Sequence, residues 1–335
     1  MHKMKFIAAA GLISALMGSA VYAQESVQLR MLTAWNDRFD PTAATANAFM
    51  ECTEEASSGR FSYIVSGPEV IPASQQFDPI SRGIFDVSFI TPIYFLGTTG
   101  VPSAFFALEP NSEMWRERGY WNFADEEMAR FNQKLVALTS GTGASDFYQL
   151  ILREPVAEGD QPLEGLKIRG NNYYEPLVVP LGGSLVNLPG GEIYSALEKG
   201  VVDGAAYPIA GMQRAKMHEV ADYMLRPRFG NSPFVMAMNL DRFNALDEAD
   251  QKIVLDCGHQ VEISSVETLV RLSNETIDEL TALGMRETTL PADVSDQINA
   301  RLIAGSWQTA IDGNAQSASR VEELREMARA NGDAD

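Results

Sequence analysis

Gly165-Leu166-Lys167-Ile168-Arg169-Gly170, followed by Leu188-Pro189-Gly190-Gly191 and then by Gly200-Val201-Val202-Asp203-Gly204-Ala205, is the stretch on which the reading of the fold turns. In an extended strand successive side chains alternate, so Leu166 and Ile168 share one face while Lys167 and Arg169 share the other. Arg169 then stands at the strand's C-terminal end, beside a glycine. In open α/β sheets that edge borders a crevice of loops and helix N-termini, where ligands bind. Leu188 to Gly191 reads as a turn into a helix from Glu192, with Ile193, Ala196 and Leu197 on one face and Gly200 as its stop. Val201 to Ala205 reads as a second compact strand.

Upstream, Val27 to Leu32, Phe61 to Val65 and Asp86 to Ile90 are short β-rich runs, with Gly67-Pro68 as a turn between the last two. Asp40-Pro41 has the pattern of a helix N-cap followed by proline at the first helical position, and the helix it opens should end near Gly59. Strands alternating with helices in this way indicate α/β architecture. Downstream, a segment from Asp247 towards Gly284 carries Ile253, Cys257, Val261, Leu269, Leu272 and Leu280. As one helix it would be about 55 Å long at 1.5 Å per residue, longer than a single lobe.

The chain's 335 residues exceed what one hydrophobic core usually organises, so two lobes are expected. Residues 1–23 stand outside the fold: Lys3 and Lys5 precede the apolar run Phe6 to Met17, and Val21-Tyr22-Ala23 supplies small residues suited to a signal peptidase, with cleavage after Ala23. Gln24 rather than Cys follows, so the mature chain is expected free of a lipid anchor. Without the two lysines the positive count falls from 26 to 24 against 45 acids, a net charge of −21. Such a charge argues against nucleic acid or an anionic membrane as partner, and it means that an anionic solute must be drawn in by a local cation. Cys52 and Cys257 are the two cysteines of an exported chain. They can form one disulfide or remain two buried thiols, and the sequence leaves both open.

Catalytic and metal chemistry finds no footing. His2 leaves with the signal, and His218 and His259 lie far apart without ligand spacing. There is no Gly-x-Ser-x-Gly elbow, no phosphate loop and no Cys-x-x-Cys pair. No carboxylate pair is singled out by spacing. The chain is therefore read as a non-enzyme with no cofactor and no metal.

Four features in order, Leu163-x-Gly165-Leu166-Lys167-Ile168-Arg169, Leu181-Gly182-Gly183, Gly191-Glu192-Ile193-Tyr194-x-Ala196-Leu197 and Gly200-Val201-Val202-Asp203-Gly204, resemble the solute receptors of tripartite ATP-independent periplasmic (TRAP) transporters, the DctP-like family. The resemblance implies a two-lobed periplasmic binding protein (type II-like) with two mixed sheets flanked by helices and a long helix spanning both lobes. It implies lobe I from 24–145 and 233–275, and lobe II from 146–232 and 276–335. It also implies a small organic anion as solute and the membrane permease subunits as partner. A sensor input that docks on a histidine kinase is the alternative.

In that family the arginine closing the Lys-Ile-Arg strand grips the ligand's carboxylate, and here it is Arg169. A guanidinium offers paired donors that match both carboxylate oxygens and stays charged at any relevant pH. The resemblance further places Trp35, Glu69, Thr91 and Tyr94 at the cleft from the first lobe, and Asn172, Tyr173 and Asn231 from the second lobe or its hinge. Glu192 is read as structural, a carboxylate in a first helical turn. Sialic-acid-binding relatives carry a second arginine about twenty residues upstream of the first, where this chain has Asp146-Phe147-Tyr148-Gln149. They carry an asparagine where Tyr207 stands. Keto-acid-binding relatives have a Glu-Trp pair where Ala206-Tyr207 stands. With Phe147, Tyr148 and Tyr207 in those places, the pocket should be more aromatic and less polar, suited to a single carboxylate with an apolar or aromatic body.

Overall fold

The computed structural model describes residues 26–36 and 39–334. The expected signal segment lies outside them. Two mixed sheets form the frame. The first contains β1 (Val27–Thr33), β2 (Phe61–Ser66), β3 (Val87–Ile90), β4 (Gln133–Thr139) and β10 (Phe234–Asn239), in the order β2-β1-β3-β10-β4. The second contains β5 (Tyr148–Leu152), β6 (Lys167–Gly170), β7 (Ser184–Asn187), β8 (Gly204–Pro208), β9 (Tyr223–Arg226) and β11 (Arg286–Thr289), in the order β11-β9-β5-β8-β6-β7. The elements around the first sheet make lobe I, and those around the second make lobe II. The chain leaves lobe I after β4 and returns to it at β10, which lies antiparallel between β3 and β4.

β1, β2 and β3 match the apolar runs Val27 to Leu32, Phe61 to Val65 and Asp86 to Ile90 to within a residue at each end. β6 alternates as expected: Ile168 is buried, Lys167 exposed and Arg169 half-buried. The second strand of that region begins at Gly204 instead of Val201. Val201 to Asp203 form a turn, because Asp203 turns back on β6. Its carboxylate accepts from the Lys167 amide at 2.8 Å, and its own amide donates to the Lys167 carbonyl at 2.8 Å. Gly204 follows as the first strand residue because a Cβ there would lie 2.7 Å from the Ile151 carbonyl oxygen. The helix Ile193–Glu198 buries Ile193, Ala196 and Leu197 as its periodicity requires, and Gly200 stops it at φ 69°.

Asp40 does not cap its helix. The first turns after it are wound as a π-helix over Thr42–Asn47 before α-helix resumes at Ala48–Ala56. The Asp40 carboxylate instead forms an ion pair with Arg214, a lobe II residue between β8 and β9.

The long helix runs Glu248–Ala282, 35 residues, about 52 Å at 1.5 Å per residue. The Asp247 side chain accepts from the Asp250 amide and so satisfies one of the first free N–H groups. Val254, Cys257, Val261 and Leu269 enter the main core, whereas Leu280 joins the lobe II cluster of Ile151, Ile193, Leu197 and Met224. The helix thus joins both lobes. Cys257 is disulfide-bonded to Cys52 of the Ala48–Ala56 helix. Among the described residues no helix is long and apolar enough to cross a membrane.

Candidate functional site

Arg169 projects from the C-terminal end of β6, and backbone carbonyls hold it in place. Its Nε and Nη2 donate to the Leu188 oxygen at 3.0 and 2.8 Å, and Nη1 donates to the Ala206 oxygen at 3.1 Å. Leu188 belongs to the turn after β7 and Ala206 to β8, so the strands on either side of β6 both orient the guanidinium. Three N–H groups are engaged, and among the described residues the remaining one on each Nη has no hydrogen-bond acceptor. Carbonyls fix geometry without neutralising charge. Among the described residues no Asp or Glu forms an ion pair with Arg169.

The charge sits among phenols. Arg169 acts electrostatically on Tyr94, Tyr148, Tyr174 and Tyr207. Burial pushes the phenol of each above the ordinary tyrosine value, and the nearby guanidinium only partly opposes that rise. All four therefore stay protonated and neutral at physiological pH, so the group carries a single positive charge and O–H donors around it.

An aromatic wall stands behind this group. From lobe I, Trp35 packs at 5.7 Å from Tyr94, 5.9 Å from Phe89 and 5.6 Å from Phe234, ring centroid to ring centroid. Phe234 continues to Phe147 at 5.7 Å, Phe147 to Tyr148 at 4.9 Å, and Tyr148 to Tyr173 and Tyr174 at 5.6 and 5.1 Å. The wall thus crosses from one lobe to the other without a break. Exposure separates its members. Phe147, Tyr148, Tyr173 and Tyr174 are buried, while Trp35, Tyr94, Tyr207 and Arg169 keep partial access to solvent.

The other expected residues differ in exposure and in partners. Glu69 is exposed and accepts from the Gly67 amide at 2.7 Å, closing its own turn. Thr91 is buried, and its hydroxyl donates to the Pro233 carbonyl. Asn172 is exposed, and its neighbour Asn171 caps the short turn by accepting from the Tyr173 amide. Asn231 is buried, with its side-chain amide donating to the Phe105 and Leu108 carbonyls and its backbone N–H to the Tyr173 hydroxyl. It ties the start of β10 to lobe I. Tyr174, by contrast, lies in the field of Arg169 and was not singled out by the motif. The doublet Tyr173-Tyr174 shortly after Arg169 was the available signal. Among the described residues no group of three or more His, Cys, Asp or Glu side chains could hold a metal ion.

The model of bacterial extracellular solute-binding protein family 7, DctP, matches residues 34–304. The chain is similar to the monocarboxylate 2-oxoacid-binding periplasmic protein of Nostoc sp. strain PCC 7120, 24% identical over 275 residues that cover 78% of this chain and 73% of the relative. It is also similar to the ectoine-binding periplasmic protein TeaA of Halomonas elongata, 26% identical over 155 residues; that match covers 44% of this chain and spans less than half, 45%, of the relative. Among solved structures, a TRAP periplasmic solute-binding protein from Desulfovibrio salexigens with bound orotic acid superposes with a TM-score of 0.74 at 17% identity, covering 90% of this chain and 98% of that one. A TRAP transporter solute-binding protein from Bordetella bronchiseptica, with copurified calcium and picolinate in its site, does so with a TM-score of 0.73 at 18% identity, covering 92% and 94%. The two structural likenesses extend over both sheets.

Proposed function

The chain belongs to bacterial extracellular solute-binding protein family 7, and on that footing we propose that it is the periplasmic receptor of a TRAP transporter, which captures a small organic carboxylate between its lobes through Arg169 and hands it to membrane permease subunits. In this reading residues 1–23 direct export and are cleaved after Ala23. The disulfide Cys52–Cys257 accords with an oxidising compartment.

One observation carries the reading: among the described residues a guanidinium, oriented by two backbone carbonyls, has an N–H on each Nη without an acceptor and no carboxylate to neutralise it. A half-buried cation of that kind is costly unless a ligand supplies the counter-charge. The carboxylate class also accords with the names of the relatives, since a 2-oxoacid, orotic acid and picolinate are all carboxylates. Partial desolvation between the lobes would strengthen the ion pair relative to water, and a bound solute would favour the closed arrangement by its contacts with both lobes.

The test is a thermal-shift screen of the mature protein over a library of carboxylates and sulfonates, followed by calorimetry on the best ligand. A bound solute raises the melting temperature by mass action. Arg169→Ala should abolish most of the binding while leaving the circular dichroism spectrum unchanged. The proposal fails if the variant binds that solute as the native protein does.

A further inference from the structure

The ion pair between Asp40 and Arg214 crosses from lobe I to lobe II, and its two ends are unequally covered. The Asp40 side chain is only 3% exposed, whereas that of Arg214 is 49% exposed. In its own lobe the carboxylate finds little to bind. The helix that begins at Thr42 does not use it as a cap: the Thr42 and Ala43 amides donate to the Phe39 carbonyl at 2.9 and 3.4 Å, and Pro41 has no N–H to offer. One carboxylate oxygen meets Arg214, and the other is buried without a hydrogen-bond partner among the described residues.

Both ends are fixed to their lobes. Beside Asp40, the Phe39 amide donates to the Asn36 carbonyl at 3.1 Å, and the Phe39 ring packs on Trp35 at 4.7 Å between centroids. Arg214 lies between Met212 and Met217, which are buried in the lobe II core, and the Ala215 amide closes the turn on the Gly211 carbonyl at 3.0 Å. Arg214 also lines a cavity of about 520 Å³ with Lys216, His218 and Glu219. Its segment follows β8, the strand whose Ala206 carbonyl orients Arg169.

We propose that Asp40 and Arg214 form a latch that holds the two lobes closed and acts before any solute is bound. Opening must separate the pair, because its ends are anchored in different lobes. The unequal burial makes the two ends unequal in effect. With the lobes closed, Asp40 without Arg214 is a buried charge without a partner, which is costly. Arg214 without Asp40 is a half-exposed cation that water can serve. A solute that touches both lobes acts on the same equilibrium, so its contacts and the latch reinforce each other. The latch does not depend on the reading of Arg169 as the carboxylate anchor.

Small-angle X-ray scattering of the mature protein, dialysed free of solute, reads the balance of closed and open lobes. Arg214→Ala should shift that balance towards open about tenfold or more and raise the radius of gyration. Asp40→Asn keeps the shape and removes the charge, and should open the lobes less. The double variant Asp40→Asn, Arg214→Ala should lie nearer to Asp40→Asn than to Arg214→Ala, because it leaves no charge stranded. Arg214→Lys keeps a cation and should stay nearer the native protein than Arg214→Ala does. Circular dichroism identifies any variant that fails to fold, and Arg214→Lys against Asp40→Asn then carries the comparison, the lysine variant being the more closed. The latch is overturned if folded Arg214→Ala scatters as the native protein does, or if Asp40→Asn opens the lobes as far as Arg214→Ala. Neither result bears on the carboxylate anchor, which Arg169→Ala tests with solute present.

Discussion

Gly258 of the long helix lies so close to Val136 of β4 that a Cβ at position 258 would sit 2.2 Å from the Val136 carbonyl oxygen and 2.9 Å from its Cγ1. This contact seats the helix on the first sheet, since neither backbone can retreat without disturbing the ladder to β10. Alanine normally gains about 1 kcal/mol over glycine inside a helix. Here the overlap is with backbone and should outweigh that gain, for a net loss of about 1–3 kcal/mol in Gly258→Ala. Chemical denaturation followed by circular dichroism reads it. A variant as stable as the native protein would mean that the helix rides on the sheet loosely.

One turn further on, Glu262 is fully buried and its carboxylate accepts from the Leu138 amide at 2.7 Å, from the Trp121 indole at 2.8 Å and from the Arg116 guanidinium. Burial raises its pKa above the usual glutamate value, against the pull of Arg116 and of the other donors. Removing the carboxylate in Glu262→Ala leaves three donors without an acceptor and one of them charged. The expected cost is about 3–5 kcal/mol, the range seen when a buried pair loses one partner. Arg116 keeps some solvent access, so its own truncation should cost less. Denaturation midpoints of the two variants give the comparison, and equal losses would contradict it.

These two contacts mark what was and was not legible in the chain. The long helix from Asp247 towards Gly284, the face made by Ile193, Ala196 and Leu197, and Gly200 as a stop are local signals, and the structure has each where the sequence puts it. Asp40 misled, because Asp-Pro has the form of a cap while its carboxylate meets Arg214, remote in sequence. The strand after Gly200 was placed early, because Val201-Val202 is apolar enough for a strand while Asp203 is taken by Lys167 across the sheet. Around Arg169 the strand end was readable from alternation alone. The carbonyls that orient it, on Leu188 and Ala206, come from neighbouring strands that only the fold brings together.

The pairing of Cys52 with Cys257 was likewise beyond the sequence, since the two lie 205 residues apart. The bond fastens the Ala48–Ala56 helix to the long helix. A cross-link closing so long a loop restricts the unfolded chain strongly, and native disulfides typically contribute about 2–4 kcal/mol. The double variant Cys52→Ser, Cys257→Ser should therefore melt at a lower temperature than the native protein. Dithiothreitol should lower the melting temperature of the native protein and leave that of the variant unchanged. A native melting curve indifferent to reductant would argue that the bond contributes nothing.

Asp86 gives the fold an acid-sensitive point at the edge of lobe I. Burial alone would raise its pKa, but hydrogen bonds from the Arg30 side chain and backbone, with the Arg30 charge, outweigh burial and leave the value below that of a free aspartate. A depressed native pKa means that the unfolded chain binds the proton more readily, so the contribution is present above the unfolded aspartate value and is lost as pH falls through the native one. Asp86→Asn should destabilise the protein at neutral pH, and the gap from the native protein should narrow on acidification below about pH 4. Melting temperatures of both proteins across an acid series test the sign. A gap that widens with acid would reverse the assignment.

Arg169→Lys separates charge from orientation at the proposed anchor. Lysine keeps the positive charge but presents a compact ammonium on a flexible stem, and it cannot take up the bidentate hold on the Leu188 oxygen together with the bond to Ala206. If the carbonyls serve to aim a fork of two N–H groups at a carboxylate, losing the fork should weaken binding by about 1.5–3 kcal/mol, roughly tenfold to a hundredfold. Stability should change little, because an ammonium can still serve one of the two carbonyls. Calorimetry with the solute that stabilises the native protein best, beside a melting curve, reads both quantities. Native-like affinity in the lysine variant would show that charge alone suffices and that the clamp on the guanidinium has another purpose.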